Sequence, residues 1–166
     1  LLGDDIIDEA TPLLRRMLEV HASSGMDVVA LMEVEAAHAH RYGIATVEAT
    51  SEDDVVRVHD LVEKPAPGAA PSNLAVIGRY VLNSAIFDVL EETQPGVGGE
   101  IQLTDALRVV AGDDARGLLG VICTGRRFDT GDRQGLLEAT VTLASERADL
   151  GPDFRAWLKR FAATLD

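Results

Sequence analysis

The sequence predicts an α/β fold: a mixed, mostly parallel sheet flanked by helices, with an antiparallel insertion and helices at the C-terminal end. Three observations lead to it. The apolar run at residues 27–34 follows a helical pattern and is continuous, as a parallel strand buried on both faces requires. Two alternating runs at residues 43–50 and 55–62 flank a polar turn and read as an antiparallel pair. Helical and strand patterns then alternate again toward the C-terminal end, the order expected of layered α/β architecture.

Taken in order, Thr11-Pro12 reads as an N-cap followed by proline at the first helical position. Leu13, Leu14, Met17 and Leu18 carry helical spacing, and the helix should stop near Ser23-Ser24-Gly25. Residues 27–34 (DVVALMEV) form the buried strand, and an acidic, His-containing turn follows. Ser51-Glu52-Asp53-Asp54 turns the antiparallel pair, and Glu63-Lys64-Pro65 closes it. Residues 66–71, rich in Pro, Ala and Gly, are a surface loop before a strand at 73–82. Ser84 is placed to cap a helix through Glu92. The Gly-rich stretch 93–99 is irregular, and Ile101, Leu103, Leu107 and Val110 mark the next helix. Residues 116–124 are a strand. A helix over 133–148 should turn Leu136, Leu137, Val141 and Ala144 inward, and Pro152 starts a last helix through Leu165.

Composition bounds the function. With 166 residues and 46% hydrophobic content, the chain can bury the core of one domain, and residues 1–166 are read as a single domain. A formal charge of -13 and a pI near 4.6 oppose binding to a nucleic-acid backbone, which needs a Lys/Arg surface to displace counterions. A small anion is still accessible, because a divalent metal and a few local cations hold phosphate whatever the net charge. Cys123 is the sole cysteine, lies in an apolar run and has no internal partner for a disulfide, which suits a cytoplasmic protein. No stretch has the length and apolarity of a membrane span, so no membrane partner is expected. His21, His38, His40 and His59 lack the Cys/His neighbours of a zinc site.

Several residues suit chemistry on phosphate. Leu1-Leu2-Gly3-Asp4-Asp5 places carboxylates after a strand-like pair, at the strand end where α/β folds bind ligands. Phe128-Asp129-Thr130-Gly131 repeats the arrangement, and two such carboxylates can converge on one hard cation. Asp and Gly at strand ends also make ordinary turns, and spacing alone does not choose between the two. Lys64 could hold a phosphate as a point charge while Glu63 accepts from hydroxyls, with Pro65 restricting the backbone of Lys64; a solvated loop is the plain alternative. Gly43 permits close approach of a ligand to the backbone, or simply begins a strand.

In order, the blocks LLGDD (1–5), RYG (41–43), VEKP (62–65), PSNLAVIGRYVL (71–82), GGEIQLTDAL (98–107) and FDTGD (128–132) resemble the bacterial-type UTP–glucose-1-phosphate uridylyltransferases. The resemblance runs from residue 1 to about residue 145, and it implies the Rossmann-like fold of nucleotide-diphospho-sugar transferases. It also implies roles. Asp4 and Asp129 would be the acids at a Mg2+ ion, and Asp4, Lys64 and Asp129 would carry catalysis. Gly43, Glu63 and Lys64 would bind the sugar phosphate. Glu100 and Asp105 would shape the site. The implied reaction joins UTP and glucose 1-phosphate into UDP-glucose and pyrophosphate by in-line displacement. Residues 1–132 would form the sugar-phosphate and metal side and 133–166 the C-terminal helices, whose apolar faces would either cover the domain's own core or place Trp157 and Phe161 at a homo-oligomer contact.

The resemblance also implies a Gly-rich, Arg- and Lys-bearing nucleotide loop upstream of LLGDD. Its absence marks this sequence as an expected fragment of a longer chain, inactive alone. Two alternatives stand beside this reading: a sugar-phosphate nucleotidyltransferase with another base or sugar, and a non-catalytic interaction domain derived from the same fold.

Overall fold

The computed structural model describes residues 3, 5–8, 12–96 and 99–165. Among these, the chain forms two compact units, the first within Glu9–Thr124, the second within Leu2–Asp8 and Gly125–Asp166.

In the first unit, helix α1 (Leu13–Ser24) buries Leu13, Met17 and Val20 at helical spacing and ends on Gly25 at φ +70. Thr11, the expected cap, lies outside the described residues. Strand β2 (Asp27–Glu33) is buried along its first five residues, as its continuous apolar run requires. A 3₁₀ turn over Ala36–Arg41 carries His38 and His40. Strands β3 (Gly43–Ala49) and β4 (Val55–Glu63) form the expected antiparallel pair, running from Gly43 opposite Glu63 to Ala49 opposite Val56 with a register shift between Thr46 and Val47. Arg16 of α1 grips the turn between them through Asp54, at 2.8 Å, and through Glu52. The unit continues with β5 (Leu74–Val81), α2 (Ile86–Glu92), α3 (Leu103–Ala111) and β6 (Leu118–Ile122).

The five strands close on themselves in the order β2-β5-β3-β4-β6. Helices packed with this sheet give the expected α/β fold, but its pairing departs from the mostly parallel sheet read in the sequence. Only β2 and β6 run parallel; the other pairings in the ring are antiparallel. The physical reason lies in residues 43–81. The antiparallel segment does not hang off the sheet as an insertion, because β4 pairs with β6 and β5 pairs with β2. Leu107 and Val110 of α3 pack into the cluster of Val29, Leu31, Val58, Leu61 and Leu118 and are at most 1% exposed. Burying each such side chain contributes roughly 1.5–3 kcal/mol.

Two local expectations change. Helix α2 has Ala85 at its N-cap, with no side-chain cap; Ser84 contributes its backbone carbonyl, which accepts from Phe87 N–H at 3.1 Å. Ile101 precedes α3 and is 56% exposed, leaving Leu103, Leu107 and Val110 as its inward positions.

The second unit pairs β1 (Asp5–Asp8) antiparallel with β7 (Arg126–Asp129). Helices α4 (Arg133–Glu146) and α5 (Gly151–Ala162) follow. Asp132 caps α4 by accepting from Gly135 N–H at 2.9 Å, as an N-cap aspartate does. Gly135 is required: a Cβ there would stand 2.1 Å from the carbonyl oxygen of Asp129, so only glycine lets the first turn of α4 pack on the end of β7. Within α4, Ala139 is buried, whereas Leu136 and Leu137 are exposed rather than inward. No helix among the described residues is long and apolar enough to cross a membrane.

Candidate functional site

In the first unit, three of the residues singled out in the sequence meet at one corner of the sheet. Gly43 begins β3 and Glu63 ends β4, and antiparallel register sets them directly opposite one another. Such pairs bring side chains together on one face. A Cβ on Gly43 would lie 3.1 Å from Glu63 Oε2 and 3.2 Å from Thr104 Oγ1, so a side chain there would crowd both groups. Thr104, in the first turn of α3, donates its hydroxyl to Glu63 Oε2 at 2.7 Å. The Glu63 side chain is 13% exposed, enclosed but reachable.

Lys64 differs from every other described non-glycine residue in its backbone. It alone among them has positive φ, at +43. Left-handed backbone costs an ordinary residue about 1 kcal/mol or more, so its neighbours must hold it there. They do so on both sides: Lys64 N–H donates to Tyr42 carbonyl at 3.0 Å, and Pro65 behind it is buried. Pro65 restricts the preceding backbone toward extended values, so the left-handed Lys64 departs from the expected restriction. Its ammonium is half exposed, 3.7 Å from Glu63 Oε1. The result is an exposed cation beside a carboxylate with one oxygen engaged by Thr104, a pairing suited to an anionic group that also bears hydroxyls.

The second unit holds the acids. Asp5 and Asp129 face one another across the β1–β7 ladder. Arg127 stands between them: its Nε is 2.5 Å from Asp5 Oδ1 and its Nη2 is 3.6 Å from Asp129 Oδ2. Asp5 and Arg127 have side chains only 5% and 14% exposed, so this is a buried ion pair; Asp129, at 32%, keeps an accessible edge. Asp5 is therefore occupied by the guanidinium. Asp4 and the Leu1-Leu2 pair lie outside the described residues. Among the described residues no group of three or more His, Cys, Asp and Glu is placed to hold a metal ion. The carboxylate oxygens of Asp129 are the hard donors that Mg2+ prefers, and an ion taking one or two carboxylates plus phosphate and water fits a partly exposed acid at a strand end.

The structure thus unites Gly43, Glu63 and Lys64 and places Asp129 in the other unit. Asp132, from the same FDTGD block, is a helix cap. Asp105 lies against Gly96, where a Cβ would be 2.3 Å from its Oδ2, so it shapes the loop before α3. Thr104 and Arg127 were not singled out in the sequence. Thr104 sits inside the GEIQLTDAL block, which was its only signal.

A family model described as "Nucleotidyl transferase" matches residues 1–146. The chain belongs to the nucleotidyl transferase family. It is 38% identical over 160 residues to the UTP–glucose-1-phosphate uridylyltransferase of Staphylococcus epidermidis, covering 96% of this chain and 54% of the relative. It is 42% identical over 159 residues to the UTP–glucose-1-phosphate uridylyltransferase YngB of Bacillus subtilis, covering 96% and 52%. Among solved structures, UDP-glucose pyrophosphorylase complexed with UDP-glucose superposes with a TM-score of 0.82 at 37% identity, covering 89% of this chain and 55% of that one. UTP-bound UGPase from Acinetobacter baumannii matches with a TM-score of 0.82 at 34% identity, covering 95% and 54%. The chain spans about half the length of the curated relatives it matches.

Proposed function

We propose that the protein containing this chain transfers a uridylyl group between UTP and glucose 1-phosphate, forming UDP-glucose and pyrophosphate, and that this chain supplies the sugar-phosphate side. The observation that carries the reading is the corner of Gly43, Glu63 and Lys64. It offers one exposed cation and one enclosed carboxylate at positions matching the RYG and VEKP blocks, in a chain whose relatives bear that activity in their names.

In the reaction, a phosphate oxygen of glucose 1-phosphate attacks the α-phosphorus of UTP, and the bond from that phosphorus to the bridging oxygen of pyrophosphate breaks. No side chain needs covalent modification. Catalysis therefore consists of alignment and charge neutralisation. Lys64 holds the sugar phosphate as a point charge, and its left-handed backbone sets the direction in which the side chain leaves the strand end. Glu63 accepts from glucose hydroxyls, and Gly43 lets the ring approach the strand. Asp129, with Asp4, is assigned to Mg2+, which supplies Lewis-acid stabilisation of phosphate charge when bound.

The exposed aromatic face of α5, where Trp157 stacks on Phe154 at 5.7 Å and on Phe161 at 5.3 Å, supports assignment of Trp157 and Phe161 to a homo-oligomer contact. Light scattering of Trp157→Asp would show a smaller particle; an unchanged one refutes the contact. The lone buried thiol of Cys123 supports assignment to a reducing cytoplasm.

The decisive test is a panel of UTP, dTTP, ATP and GTP with glucose 1-phosphate and Mg2+ on the intact protein. UTP should be preferred at least tenfold. Preference for another base would replace uridylyl transfer with a related transfer, and no turnover with any pair would favour an interaction domain.

A further inference from the structure

From the geometry we infer that Thr104 is a positioning residue for sugar recognition: it locks one oxygen of Glu63 so that the other is presented, beside Lys64, to a sugar hydroxyl. This inference rests on the reading of Glu63 and Lys64 as the sugar-phosphate corner.

A carboxylate has two oxygens and about four lone-pair directions, and its end-group torsion is soft. Alone, such a group accepts from whatever reaches it and selects poorly. Here the torsion is fixed. Thr104 donates to Glu63 Oε2 at 2.7 Å, a charge-assisted O–H···O bond of ordinary strong length. Glycine at position 43 leaves that pair uncrowded, because a Cβ would press on both Oε2 and Oγ1 at 3.1–3.2 Å. Oε2 is therefore committed to Thr104. Oε1 is the oxygen 3.7 Å from the Lys64 ammonium. A ligand whose phosphate sits on Lys64 meets Oε1 as its acceptor.

Three separate elements contribute: the start of β3, the end of β4 and the first turn of α3. Residues 41 apart in sequence hold the bond, so the position of α3 on the sheet is transmitted to the sugar-binding oxygen. Because Thr104 acts on a hydroxyl contact remote from the reacting phosphorus, its contribution should be equal in ground and transition states. Loss of such uniform binding raises KM and leaves kcat alone.

The test uses the intact protein, with Thr104→Val, Thr104→Ser and wild type compared for initial rates against glucose 1-phosphate and for melting temperature. Val keeps the shape and deletes the donor; Ser keeps the donor. The expected result is a KM for glucose 1-phosphate raised about tenfold in Thr104→Val, kcat within about twofold, and KM restored in Thr104→Ser. A purely structural threonine would lower the melting temperature without splitting KM from kcat. Wild-type KM in Thr104→Val, or a raised KM that Ser does not rescue, overturns the inference while wild-type turnover keeps the functional reading. No turnover by the wild type overturns both.

Discussion

The Gly43–Glu63–Lys64 corner and the Asp5–Arg127–Asp129 ladder end are both polar sites at strand ends, yet they are held in opposite ways. The first is fixed by backbone: a left-handed lysine, a missing Cβ and one threonine hydroxyl, with the cation half exposed. The second is fixed by charge, through an arginine and an aspartate almost fully withdrawn from water, with a partly exposed acid alongside. The difference separates the consequences of substitution. Changes at the corner should alter ligand binding and leave the fold intact. Changes at the ladder should cost stability first, because an unpaired buried charge has no solvent to turn to.

The largest effect follows at the ladder. Arg127→Met removes the guanidinium from the buried Asp5 carboxylate and should destabilise the protein by about 3 kcal/mol, read as a lower denaturant midpoint. Adding Asp5→Asn should recover much of the loss, since the charge is then gone. A wild-type midpoint in Arg127→Met would mean that the ion pair does not hold the ladder end. A smaller effect is expected at the corner. Gly43→Ala asks Glu63 and Thr104 to give by a few tenths of an ångström. The fold should survive with less than about 1 kcal/mol lost, while the KM for glucose 1-phosphate rises about fivefold. Equal losses of stability and binding would erase the distinction between the two sites.

The smallest effect lies away from both. The Arg16 guanidinium holds the Asp54 carboxyl below the usual carboxylate range by hydrogen bonding, opposed by partial burial. A group more acidic in the folded chain than in the unfolded one contributes its stability above the unfolded value. That contribution is lost as pH falls through the depressed folded value. Arg16→Met should therefore flatten the acid limb of a melting temperature against pH curve and leave the limb above pH 7 parallel to wild type. An unchanged acid limb would remove Asp54 from the account.

Much of this was legible in the sequence where the determinant is local. Leu13, Met17 and Val20 announce α1 by spacing, and the polar turn 51–54 announces the β3–β4 pair, whose register then brings Gly43 to Glu63. Lys64 was legible as a charge, but not as a strained one, because tertiary neighbours impose its φ. What joins distant segments was not legible. The β1–β7 ladder links Asp5 to Arg127 and Asp129 across more than a hundred residues, and neither β-strand announces its partner. The closing of the five-stranded ring hid in the same way, since a strand's pattern shows which faces are buried and not which strands pair with it. Leu136 and Leu137 failed for the converse reason: helical spacing shows that a face is apolar, not what covers it.

The measurement that bears most directly on the claim that a strained Lys64 holds the sugar phosphate is Lys64→Gly in the intact protein. Glycine adopts the left-handed backbone without penalty and removes the charge. The expected result is a melting temperature equal to or above wild type, with kcat/KM for glucose 1-phosphate lower by about a hundredfold. Turnover within about threefold of wild type would contradict it.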